Sequence, residues 1–319
     1  MMIISFQELS SQWRYHVEEF HRIQDGHSFW MDRDYIWGTM MPVVVGTVVI
    51  CSILFWLVAP FISDKLHFQD ASTEKIIKAR YQFTNFFFNL YIGGLGLYYY
   101  IYVLPTLPSY HYDSAIDRIP GHTDLYIFSA LQLGYQLWAL PVGLYCVRES
   151  TEMIIHHLAV VLASTMSGFS YCGFRYVSVY FYGLMELSSI PLAVMNAFKD
   201  NPDWRNRYPF CFLLTKAVFS FSFLYIRIYM WFSIGPRFLM HDFFMAWTVD
   251  WSVEKIFLTF QFVFGMFLGG LQFYWAYLVT KGIVAWFLNL PSMLKQRFGS
   301  TATGNGYAPK KTTKTTKMI

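Results

Sequence analysis

The strongest constraint on this chain is the recurrence of apolar runs of twenty or more residues, the first of which reads "GTMMPVVVGTVVICSILFWLVAPFI" from Gly38 onward. A run of that length crosses a hydrocarbon core of ~30 Å as helix. Such runs recur along most of the sequence, so they cannot all be hidden inside one soluble core. The composition agrees: 55% of the residues are hydrophobic, 21% aromatic and only 14% charged, against roughly 25% charged in an ordinary soluble domain. Because the runs are continuous and do not alternate with a period of two, helices and not barrel strands are the spanning elements. The expected fold is therefore all-α, a polytopic membrane helical bundle.

Hydropathy and breaks at charge and proline give seven spans, at about 38–62, 82–105, 124–147, 154–172, 174–198, 208–235 and 256–288. An odd number puts the termini on opposite sides. With the C-terminus in the cytosol, the inner segments hold 15 of the 24 Lys and Arg residues and the outer ones 7, the asymmetry expected of cytosolic loops. The N-terminus is accordingly expected in the lumen. The N-terminal segment 1–37 is polar, with no cleavable signal pattern, and 38–62 reads as the first anchor. Residues 291–319 read as a disordered, basic cytosolic tail, because Gly, Thr and Lys offer nothing to bury. Lys317 stands three residues from the end, as in dilysine retrieval signals, but without the second lysine. The four cysteines lie far apart with no C-x-x-C pair, so neither a zinc site nor a disulfide scaffold is expected.

Ionisable and amide side chains inside the spans are costly in lipid, face the bundle interior and mark function or structural pairing. His156 and His157 open the fourth span in "IIHHLAVVLA", and neighbours in sequence diverge by about 100° on a helix. One of them can therefore look into the bundle. Two readings stand for the pair, an interfacial polar anchor and a catalytic group. Glu186, near the middle of the fifth span with Ser188, Ser189 and Pro191 after it, needs a partner; Pro191 removes a backbone donor and frees a carbonyl near Leu187. Lys216 and Arg227 lie eleven residues apart on one face of the sixth span. One is a candidate partner for Glu186, with Lys216 favoured, while Arg227 reads equally as an interfacial anchor. Asn85 and Asn89 in the second span, and Gln132 and Gln136 in the third, have four-residue spacing and suit interhelical hydrogen bonds or substrate contacts. Nothing resembles a phosphate-cradling loop, a zinc-protease helix or a nucleophile elbow, and nucleic-acid binding has no support.

Three stretches then fall in order. "KARYQFTNFFFNLYIGG" resembles the entry to the TLC domain, the membrane domain of ceramide synthases and their relatives. "RESTEMIIHHLAVVLASTMS" is similar to its charged turn followed by a double histidine, and "LQFYWAYLVTKGIVAWF" to its closing helix. The resemblance covers about 72–290 and implies six helices around a pocket for long acyl chains. It also implies an endoplasmic-reticulum or related endomembrane location and a role in lipid metabolism or homeostasis. For ceramide synthases proper it implies acyl transfer from acyl-CoA, as co-substrate and with no bound cofactor or metal, to a sphingoid amine. His156 and His157 would be catalytic, and Glu186, Lys216, Ser188, Gln132, Gln136 and Asn89 would contact substrate. Where those enzymes carry a His-Asp pair, this chain has "YGLMELSSIP", a pattern closer to relatives outside the ceramide synthases. The alternative role is therefore non-catalytic lipid sensing, lipid binding or membrane-protein trafficking. The expected partners are membrane lipids and long-chain acyl groups, with a homo- or hetero-oligomer left open.

Overall fold

The structure is a computed structural model that describes residues 33–61, 72–107, 119, 123–170, 173–247 and 254–299. The segments 1–32 and 300–319, on which the expected lumenal segment and much of the basic tail fall, lie outside the described residues. Among the described residues there is no strand, and seven helices are long and apolar enough to cross a membrane. They are α1 (Arg33–Phe61), α2 (Thr73–Thr106), α3 (Tyr126–Val147), α4 (Thr151–Phe169), α5 (Arg175–Asp200), α6 (Pro209–Met245) and α7 (Glu254–Gly299). A short helix, Pro202–Arg207, turns the chain between α5 and α6. The chain divides into one compact unit ending at Ala276 and a second from Tyr277 onward; the helix contacts and cavities below belong to the first.

The expected sixth span ended at about residue 235, before Pro236, because proline commonly breaks a helix. The helix instead runs through it, its turn widened over Gly235–Met240 to make room for the ring. This extension moves Arg227 from the end of the span to its middle.

α3 is the central helix. It packs against α1, α4 and α2, and from Phe128 to Gln136 every residue is buried. Aromatic pairs fasten it to α2: Phe88 stacks on Tyr135 at 4.1 Å and Tyr81 on Trp138 at 5.6 Å between ring centres. Large apolar side chains such as Val45, Trp56, Leu57, Phe210, Phe221 and Tyr229 point outward. In water that much exposed apolar surface would drive association, whereas in lipid it is the ordinary surface of a spanning helix.

α2 and α5 approach closely enough to exclude side chains between them. A Cβ on Gly96 would lie 2.4 Å from the Leu184 nitrogen, and one on Gly93 2.9 Å from that of Leu187. This contact seats the irregular part of α5. The turn is wide over Val179–Gly183 and tight over Leu184–Ser188, and α-helix resumes at Ser189 two residues before Pro191. In the tight stretch the Ser189 N–H bonds to the Glu186 carbonyl three residues back, so the Met185 carbonyl four residues back is released from the helix ladder.

Candidate functional site

That released carbonyl is used. Arg227, buried midway along α6, sends Nη2 to the Met185 oxygen at 3.3 Å and to Ser189 Oγ at 2.8 Å. Its Nε donates to Ser188 Oγ at 2.6 Å and its Nη1 to Gln272 Oε1 of α7 at 3.1 Å. The Glu186 carboxylate lies 3.5 Å from Nη2. It also accepts from Ser189 Oγ at 2.6 Å and from Gln132 Nε2 of α3 at 3.4 Å. A guanidinium presents donors in a fixed planar fork, and here the fork spans two serines, a carbonyl, a carboxylate and an amide. Each polar group answers another, the condition under which a buried ion pair is sustained.

The carboxylate's partner is thus Arg227. Lys216, the favoured candidate from spacing, is half-buried with its ammonium 5.6 Å from the Phe212 ring centre. Ser188 is in the cluster, donating to the Met185 oxygen while accepting from Arg227. Asn89 is buried on α2 with its Oδ1 unpartnered, outside the set of side chains that surround Arg227.

The two histidines separate, as the helical rotation requires. His157 is buried, its Nδ1 against Gln136 Oε1 and its Nε2 2.9 Å from Glu149 Oε2. Both ring nitrogens are thus engaged, and the ring is fixed from both ends. Glu149 reaches it because Arg148 takes a left-handed conformation, φ 58°, which folds the chain back over α3. The carboxylate then occupies the space beside Gly143, where a Cβ would stand 2.5 Å from Oε2. Glu152, in the first turn of α4, is exposed. Glu149 lies before the helix and only this backbone reversal brings it in; the signal in the sequence was no more than a glycine six residues before a carboxylate.

His156 faces the other way. Its ring lies edge-on to Trp275 of α7 at 5.1 Å, and its Nδ1 is buried without a hydrogen-bond partner. It lines a cavity of about 60 Å³ enclosed by α4, α5, α6 and α7, with Gln132 reaching in from α3. Glu186, Arg227 and Gln272 line the same cavity, together with the apolar Phe174, Val177, Phe181 and Leu239 and the polar Gln261. The Gln132 Oε1 is also buried and unpartnered. Of the residues singled out in the sequence, the cavity therefore gathers His156, Glu186, Gln132 and Arg227. Gln136 and His157 form a network directly behind it, and Gln132 and Gln136, one turn apart on α3, join one polar cluster to each. Among the described residues no group of three or more His, Cys, Asp or Glu side chains could hold a metal ion.

The TLC-domain model matches residues 78–281, more than half of the chain. The chain belongs to the TLC-domain family. Membership carries a membrane-embedded, lipid-related function in general terms, and the matched stretch contains the cavity and both polar clusters. No curated protein and no solved structure gives a significant match to the chain.

Proposed function

We propose that this TLC-domain protein is an endomembrane lipid-handling protein that takes an acyl chain into the α4–α7 cavity and transfers it from acyl-CoA to a lipid amine. One observation carries the reading: of the paired histidines, His156 alone lines the cavity, with an imidazole nitrogen that no protein group claims. In the reaction the amine lone pair attacks the thioester carbonyl and His156 Nδ1 takes the amine proton. The carbon–sulfur bond then breaks, and the departing thiolate receives that proton, leaving an amide and CoA. Imidazole suits both transfers near neutral pH. His157, held by Gln136 and Glu149, is a positioning residue behind it. With the N-terminus lumenal and the C-terminus cytosolic, the His156 end of α4 meets the cytosol, where acyl-CoA is found.

The test is purified protein in lipid nanodiscs given a long-chain acyl-CoA and a labelled sphingoid base or lysophospholipid amine. His156→Ala should reduce amide formation by the ~10²–10⁴-fold typical of a lost general base. Product formed at the wild-type rate by that variant would sink the mechanism. A second reading, a non-catalytic lipid-binding or lipid-sensing protein, is favoured by a separate observation: the Glu186–Arg227 pair is fully engaged with protein partners. Retention of acyl lipid through purification, with no amide from any acceptor, would decide for it.

A further inference from the structure

A second cavity, of about 130 Å³, lies on the other side of α5. It is bounded by Tyr100 and Leu104 of α2, Tyr176 and Tyr180 of α5, and Ser233 and Ile234 of α6. Its chemistry is unlike that of the first. The Tyr176 hydroxyl donates to Asp242, the Tyr180 hydroxyl to the Ile226 carbonyl and the Ser233 hydroxyl to that of Met230. These three hydroxyls are turned to protein acceptors, and tyrosine rings and aliphatic side chains share the lining with Ser233.

Val177 is a wall of both cavities. It is buried in the first turn of α5 and lines the first cavity with Phe174, Phe181 and Leu239. Nine helical residues, ~13 Å of rise, separate it from Glu186. A chain whose reacting end sits among His156, Glu186 and Gln132 therefore meets Val177 about that far along, and Val177 also borders the second cavity. Among their described lining residues the two cavities share Val177 alone.

We infer that Val177 sets the length of acyl chain the protein accepts, the second cavity being the continuation of the chain site that opens when this side chain yields. The inference rests on the acyl-chain reading of the first cavity and names a specificity residue for it, independent of whether transfer occurs. Its test is binding of a series of radiolabelled fatty acids, from twelve to twenty-four carbons, to the full-length protein in nanodiscs. Val177→Ala should move the optimum to longer chains by two or more carbons, and Val177→Phe should exclude the longest chains that the wild type binds. Ser233→Phe, which fills the second cavity from α6 and leaves residue 177 untouched, should cancel the gain when combined with Val177→Ala. Binding that keeps the wild-type length profile in Val177→Ala and Val177→Phe, with both variants showing wild-type thermal unfolding, overturns the assignment of Val177 and leaves the acyl-chain reading standing. No binding of any chain by wild type overturns both.

Discussion

At the scale of single residues, the protein is organised by charges that lipid would not tolerate unpaired. Glu186 in the middle of a span requires a cation, and that much is legible from the sequence alone. Which cation is not: Lys216 and Arg227 share a face of α6 and differ only in depth. Depth follows from where the helix ends, and the Gly235–Pro236 step obscured that end by being absorbed in a widened turn. Arg227 also has the advantage of chemistry, since an ammonium could not serve Ser188, Ser189, Met185 and Gln272 together. Arg227→Met should therefore destabilise the protein by ~3–5 kcal/mol, the cost of leaving a buried carboxylate uncompensated. Arg227→Met combined with Glu186→Gln should cost less than Arg227→Met alone. Thermal unfolding in detergent of the two singles and the double checks this, and additive losses would mean that the pair is not coupled. A related prediction concerns Gly143, whose missing Cβ makes the space that Glu149 Oε2 fills. Gly143→Ala should displace the carboxylate and free the His157 ring. The histidine signal at Nε2 should then shift in the nitrogen NMR spectrum of labelled protein, while Gly94→Ala, where a Cβ meets nothing, leaves it unchanged.

At the scale of elements, hydropathy locates the spans to within several residues, because lipid leaves helix as the one way to satisfy the backbone of a continuous apolar run. What it cannot locate is departure from regular helix inside a run, and the site is built on such a departure. Pro191 signalled a loosened α5 and a free carbonyl near Leu187. The carbonyl put to use is Met185's, because the chain tightens over Leu184–Ser188 before the proline is reached. The cause lies across the interface: Gly96 and Gly93 bring the α2 backbone against this stretch, a constraint that no pattern within α5 reveals. Pro191→Ala should restore regular helix only in part, since α2 still holds the segment, and should change stability by no more than ~1 kcal/mol, the scale of one net hydrogen bond. Gly96→Leu should be far worse. Its side chain has backbone in front of it, which cannot rotate away, and overpacking of this kind costs ~1–3 kcal/mol or more. A melting curve for each variant, with Gly94→Leu as control, separates the two outcomes, and equal losses at positions 94 and 96 would remove the α2–α5 approach as the cause.

At the scale of the whole molecule, the arrangement has a direction. Along α5 the Glu186–Arg227 cluster and Val177 stand nine residues apart, and His156, backed by Trp275, lines the same cavity from α4. A lipid that enters with its reacting group at the histidine thus points its chain away from the Arg148 turn. Whether that serves acyl-CoA depends on which side of the membrane the turn faces, and here the sequence supplies the expectation and the means to test it. Seven candidate spans among the described residues and the excess of Lys and Arg in alternate loops are the ground for expecting the Arg148 turn and the C-terminus in the cytosol. The chain has no N-x-S/T acceptor of its own, so every glycan seen on an engineered version reports the introduced site. An Asn-x-Thr acceptor placed within residues 1–32 should be glycosylated in cells, giving a mass shift removed by endoglycosidase, and one placed within 300–319 should not. The reverse pattern would turn the bundle over and put the His156 end in the lumen. Cytosolic acyl-CoA could not then reach the imidazole, and the transfer reaction would fall with the topology. The cavity, the ion pair and the length determinant at Val177 would still stand as features of a protein that binds lipid without reacting it.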